Sequence, residues 1–110
     1  MDGKYIYFDG QTYQISTVLW SCGASTNIEV VAAVASKKIR VLYYTFSAST
    51  TTTFYFASAA ASISGNISCS TTQLFAPYVP YYFETVAGEA LNLYNSSATT
   101  VRGIVAYISY

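Results

Sequence analysis

The side chains that could do chemistry here are few. The sequence holds no histidine, so neither a Ser-His-Asp nor a Cys-His relay can be assembled, and a zinc site would lack most of its usual ligands. The carboxylates are Asp2, Asp9, Glu29, Glu84 and Glu89. Only Glu84 and Glu89 stand close enough in sequence to suggest a paired acid and base of the glycosidase kind. They also flank Gly88, and two exposed acids at a tight reversal are the plainer reading. No Gly-rich phosphate loop occurs. Asn66-Ile67-Ser68 and Asn95-Ser96-Ser97 have the form of glycosylation sequons, which a Ser-rich chain produces by chance. Cys22 and Cys69 read as two buried free thiols, although a disulfide between them is compatible with the spacing. Together these residues predict a protein that is not an enzyme and carries no catalytic residue, metal or cofactor.

What the chain has in quantity is aromatic surface. Pro77-Tyr78-Val79-Pro80-Tyr81-Tyr82-Phe83 combines two stiffening prolines with four rings. Tyrosines held this way offer rigid, amphipathic contact area at low entropic cost. Tyr78, Tyr81, Tyr82 and Phe83 are therefore candidate protein-contact residues. The alternatives are a loop that folds its rings back over the core and a flat platform for a sugar.

The elements that must position these residues read as strands. Twelve Tyr, six Phe and many Val, Ile and Thr favour pleated surfaces. Lys4–Phe8, Asp9-Gly10 and Gln11–Ile15 form a hairpin pattern, followed by a short strand at Val18–Trp20. Glu29–Ala35 and Lys38–Ala48 flank a turn at Ser36-Lys37. Strict alternation in the second strand places Leu42, Tyr44 and Phe46 on one face and Ile39, Val41 and Tyr43 on the other. One face is expected to pack the core. The other, Ile39, Val41 and Tyr43, is expected to meet a neighbour. Phe54 and Phe56 alternate along a further strand, and Ala57–Ser64 fits either a short helix or a loop. Glu84–Val86 and Ala90–Tyr94 read as a hairpin about Ala87-Gly88-Glu89, and Val101–Tyr110 is a last strand. The expectation is an all-β, antiparallel β-sandwich of jelly-roll type, one domain over 1–110, with 1–29 as an N-terminal hairpin or arm.

Composition narrows the partners. At 12.0 kDa the folded chain should expose about 6,000 Å². Only 9% of residues are charged, against about 25% in an average domain, and the net charge is zero. Such a surface suits contact with other protein. Lys37, Lys38 and Arg40 are too short a basic cluster for nucleic acid. The apolar run Val30–Ala35 is far too short for a membrane span, and the start Met1-Asp2-Gly3-Lys4 lacks a signal-peptide pattern, so synthesis in a cytoplasm is expected.

Three strings resemble small bacteriophage virion proteins of the capsid cement or decoration type. They are Val30–Leu42 with its Lys-Lys-Ile-Arg-Val-Leu, the Phe-Glu-Thr-x-x-Gly-Glu-Ala-Leu-Asn-Leu run of Phe83–Leu93, and the final Val101–Tyr110. The resemblance spans Val30 to Tyr110 and leaves the N-terminal thirty residues and the tyrosine load outside it. It implies a structural virion protein on the outer surface of the capsid. Such a protein would bind across junctions of the major capsid protein and self-associate, most simply as a homotrimer. The alternative is a carbohydrate- or receptor-binding β-sandwich of a phage tail fibre.

Overall fold

The computed structural model describes residues 4–8, 10–48, 50–69 and 83–110. Ten strands run through them, and no helix occurs among the described residues. They are β1 (Lys4–Phe8), β2 (Gln11–Cys22), β3 (Thr26–Val31), β4 (Ile39–Ala48), β5 (Thr52–Ser58), β6 (Ala61–Ser62), β7 (Ile67–Cys69), β8 (Phe83–Glu84), β9 (Leu91–Asn95) and β10 (Val101–Ser109). One antiparallel sheet has the order β1-β2-β10-β4-β8 and the other β3-β9-β5-β6, with β7 also paired to β5. Successive strands from β2 to β5 alternate between the sheets, and β8, β9 and β10 do so again. With β1 set aside, that order is the double Greek key of a jelly roll. The total surface is 6048 Å², the value expected for this mass.

The core lies between the sheets and is largely aromatic. Trp20, Tyr44, Phe46, Phe54, Phe56 and Phe83 meet there with Val41, Leu91, Leu93, Val101 and Val105. Phe46 meets Phe54 edge-on at 5.1 Å, and Tyr44 meets Phe56 at 5.3 Å, both favourable ring geometries. At the rim, the buried Asn95 side chain ties the β2–β3 and β9–β10 connections together. Its Nδ2 donates to the carbonyls of Cys22, Gly23 and Thr99, and its Oδ1 accepts from the amide and hydroxyl of Ser97.

Four expectations need correction. First, Gln11–Ile15 and Val18–Trp20 are one continuous strand. It pairs with β1 up to Ile15 and with β10 from Ser16 onward, so the β1–β2 hairpin extends beyond the main sheet. Second, Phe83–Leu93 is not a hairpin: β8 pairs with β4 in one sheet while β9 pairs in the other. Thr85 holds the crossing in place. Its Oγ1 accepts from the Ile39 amide at 2.9 Å, and its own amide donates to the Ile39 carbonyl at 3.0 Å. Third, Ala57–Ser64 is a strand end, a tight turn and the short β6. The turn takes Ala59 to φ 52.

The fourth correction concerns β4. Tyr107 of β10 pairs with Val41, but Ala106 pairs with Tyr43, so Leu42 is an extra residue in the ladder. This β-bulge resets the alternation. Ile39 and Val41 before it, and Tyr44, Phe46 and Ala48 after it, all face the core. Leu42 is buried outside that cluster, and Tyr43 is turned to the surface.

Candidate docking face

The bulge decides which predicted contact residues are available. Ile39 and Val41 are fully buried, at 0% exposure, and serve the core rather than a partner. Phe83 is buried too, tilted against Phe56 at 5.2 Å. Tyr43 remains on the surface, 40% exposed. Tyr78, Tyr81 and Tyr82 lie outside the described residues.

Tyr43 lies on the outer side of the first sheet, one row along from further exposed apolar residues. Leu19 of β2, Ile104 of β10 and Thr45 of β4 stand in one cross-strand row. Leu19 is 81% exposed and Ile104 37% exposed, while the residues that follow each, Trp20 and Val105, are buried. A groove of about 530 Å³ runs over this row, with Trp20, Phe46 and Gly103 among its lining. Gly103 has a steric reason to be glycine. A β-carbon there would fall 1.9 Å from the Thr45 carbonyl oxygen and 2.9 Å from Cζ2 of Trp20. Arg102 also lines the groove and is exposed. On the neighbouring hairpin, Tyr5 and Tyr7 stand on one face of β1, 62% and 73% exposed.

Sequence reasoning missed Leu19 and Ile104. Val18-Leu19-Trp20 reads as uniformly apolar, and only the pairing with β10 separates its inward from its outward residues. Alternation within Gly103-Ile104-Val105 was the available signal.

Lys38, Arg40, Glu84 and Glu89 are committed to structure. Glu84 Oε1 accepts from Arg40 Nε at 2.9 Å and from the Tyr110 hydroxyl, and Arg40 Nη2 also lies 2.9 Å from it. Lys38 Nζ lies 3.6 Å from the other oxygen. Burial pushes the Glu84 carboxyl up, but the hydrogen bonds from Tyr110 and Arg40 and the charges of Arg40 and Lys38 outweigh it, and it titrates below its ordinary value. Burial and the bond to Glu84 raise the Tyr110 hydroxyl. Glu89 is held elsewhere, accepting from the Ser58 hydroxyl of the second sheet. The two carboxylates therefore make their bonds with different sheets. Cys22 is a buried free thiol that donates to the Thr26 carbonyl at 3.4 Å, and burial pushes its pKa up. The Cys69 side chain is outside the described set. Among the described residues no group of three or more candidate ligands could hold a metal, and no helix is long and apolar enough to cross a membrane.

No protein-family model matches the sequence, and no curated protein matches it. Among solved structures, a chain of the cyanophage Pam1 capsid asymmetric unit is similar over 86% of this chain and 84% of that chain, at 14% identity and a TM-score of 0.49. The capsular polysaccharide assembling protein CapF from Staphylococcus aureus is similar over 96% of this chain, at 9% identity and a TM-score of 0.40. This chain spans 30% of that one. Both scores fall below one half, so the jelly roll stands on its own strand pairing rather than on either likeness.

Proposed function

We propose that this chain is a structural virion protein that cements a phage head, docking across junctions of the major capsid protein through the outer face of the β2–β10–β4 sheet. The observation that carries the reading is the exposed Leu19–Ile104 row and its groove, on a chain with only 9% charged residues. A small domain does not ordinarily leave a leucine this exposed beside an open apolar groove on the flat of a sheet, and such a surface marks an interaction site. The sequence resemblance of Val30–Tyr110 to capsid cement proteins supplies the partner. The action is mechanical and needs no catalysis. A protein that binds the assembled shell more tightly than the free subunit stabilises the shell by mass action. A homotrimer suits three-fold and quasi-three-fold junctions and covers apolar surface in a closed assembly.

Quantitative mass spectrometry of purified particles tests this role. A copy number on the scale of the shell subunits is expected; a few copies per particle would place the protein in a tail or fibre. Sedimentation equilibrium tests the assembly: a monomer at micromolar concentration would refute self-association, whereas a dimer would refute only the three-fold choice.

A further inference from the structure

The outer face of the second sheet has a different chemistry. Asn27 of β3, Tyr94 of β9 and Tyr55 of β5 are cross-strand neighbours in one row. Glu29 and Asn92 form the adjacent row. The Tyr55 and Tyr94 rings are stacked, with centroids 5.2 Å apart and planes 9° from parallel. Asn92 Nδ2 donates to the Ala59 carbonyl at 2.9 Å, and the Tyr94 hydroxyl lies 3.5 Å from the same oxygen. The ring pair is thus fixed before any ligand arrives, which lowers the entropic cost of binding. Beside it runs a trough of about 320 Å³ that includes Asn27, Tyr55, Tyr94 and Ser96 in its lining. That is the size of a small-ligand site, which begins at roughly 300 Å³.

We infer that this face binds a neutral saccharide, the sugar ring lying against the Tyr55–Tyr94 pair and its hydroxyls meeting the Asn27 carboxamide. An aromatic face accepts the apolar C–H side of a pyranose. A free amide offers one acceptor and two donors, which suits neighbouring hydroxyls. The Asn27 side chain is exposed and makes no hydrogen bond among the described residues. Charge selects against acidic sugars. Lys4, Lys37, Lys38, Arg40 and Arg102 all lie outside β3, β9 and β5, whereas the exposed Glu29 stands on this face. A uronic acid would meet a carboxylate on a face whose three strands hold no Lys or Arg. The site is on the opposite side of the sandwich from the proposed docking face, so the two readings stand or fall separately.

An amide NMR titration of the full chain with cellotetraose, mannotetraose and chitotetraose, and with tetragalacturonate as the acidic comparison, tests the inference. At least one neutral oligosaccharide should shift the Asn27, Tyr55 and Tyr94 amides with millimolar affinity, and tetragalacturonate should not. Tyr94→Ala should weaken that binding about tenfold. Asn27→Ala changes an exposed side chain without partners, so the fold is not at risk, and should weaken it by about fivefold. Leu19→Ala on the far sheet should leave it unchanged. The inference is overturned if no neutral sugar shifts these amides at about 20 mM, a concentration at which even weak millimolar binding would saturate. Shifts centred on Leu19 and Ile104, or equal binding of tetragalacturonate, would overturn it as well.

Discussion

The Trp20 ring packs against Gly103, its Cζ2 only 2.9 Å from where a β-carbon at 103 would sit. The Thr45 carbonyl crowds the same point from the other neighbouring strand, and a backbone atom in a paired strand cannot move aside cheaply. Gly103→Ala should therefore destabilise the chain by about 3 kcal/mol or more, at the upper end of overpacking costs. Urea denaturation measures it. Ile104→Ala, one residue along and facing outward, should change the midpoint little. If the two variants are equally stable, the close approach is not real.

Asn95 should be as sensitive. Replacing it with Ala leaves the buried Cys22 carbonyl and the Ser97 amide without their side-chain partner, at a cost of about 2–4 kcal/mol. Asn95→Asp keeps the shape but sets a carboxylate oxygen against the carbonyls that Nδ2 now satisfies, and should be worse than Ala at neutral pH. Thermal melts of the two variants rank them; an aspartate more stable than the alanine would contradict the bond assignments.

The bulge at Leu42 makes a pair of opposite predictions. Val41→Asp should abolish folding, because it buries a charge without a partner. Tyr43→Asp, on the surface, should lie within about 1 kcal/mol of the parent. Regular alternation would have treated the two positions alike. Circular dichroism of the two proteins separates the cases.

Acid should loosen the closure of the last strand. The Glu84 carboxyl is held below its unfolded value, so its contribution is present above about pH 4.3 and is lost as pH falls through the folded value. Glu84→Gln removes this dependence. Stability measured from pH 7 downward should fall more steeply in the parent than in the variant; parallel curves would refute the role of the Arg40–Glu84–Tyr110 cluster.

Leu19→Asp combined with Ile104→Asp should leave the melting temperature close to the parent value while preventing attachment to shells. Both side chains face outward, so the loss is of contact and not of core. Co-sedimentation with particles lacking the protein reads the result. Full attachment by the double variant would move docking to another face.

Much of the fold is legible in residue types, because β-branched and aromatic residues alternate through most strands and Gly10, Ser36 and Gly88 mark real turns. The double Greek key is less legible, since pairing between β2 and β10 depends on residues far apart in the chain. The site was read least well. Alternation along Ile39–Phe46 points to Ile39 and Val41 as an outward face, and one unpaired residue reverses that. The Phe83–Leu93 string has the look of a hairpin because Gly88 does turn the chain, at φ 83. What the string does not reveal is that Thr85 and Gly88 bond to the Lys37–Ile39 segment.

The place of β10 between β2 and β4 also sets the order of events during synthesis. Both neighbours leave the ribosome well before their common partner, so each waits with an open edge until the final strand is made. Pairings of such long sequence separation form slowly, and exposed edges invite association with other chains in the interval. The nascent protein is therefore most vulnerable just before β10 is made, and slowed elongation between Ala48 and Val101 would lengthen that window.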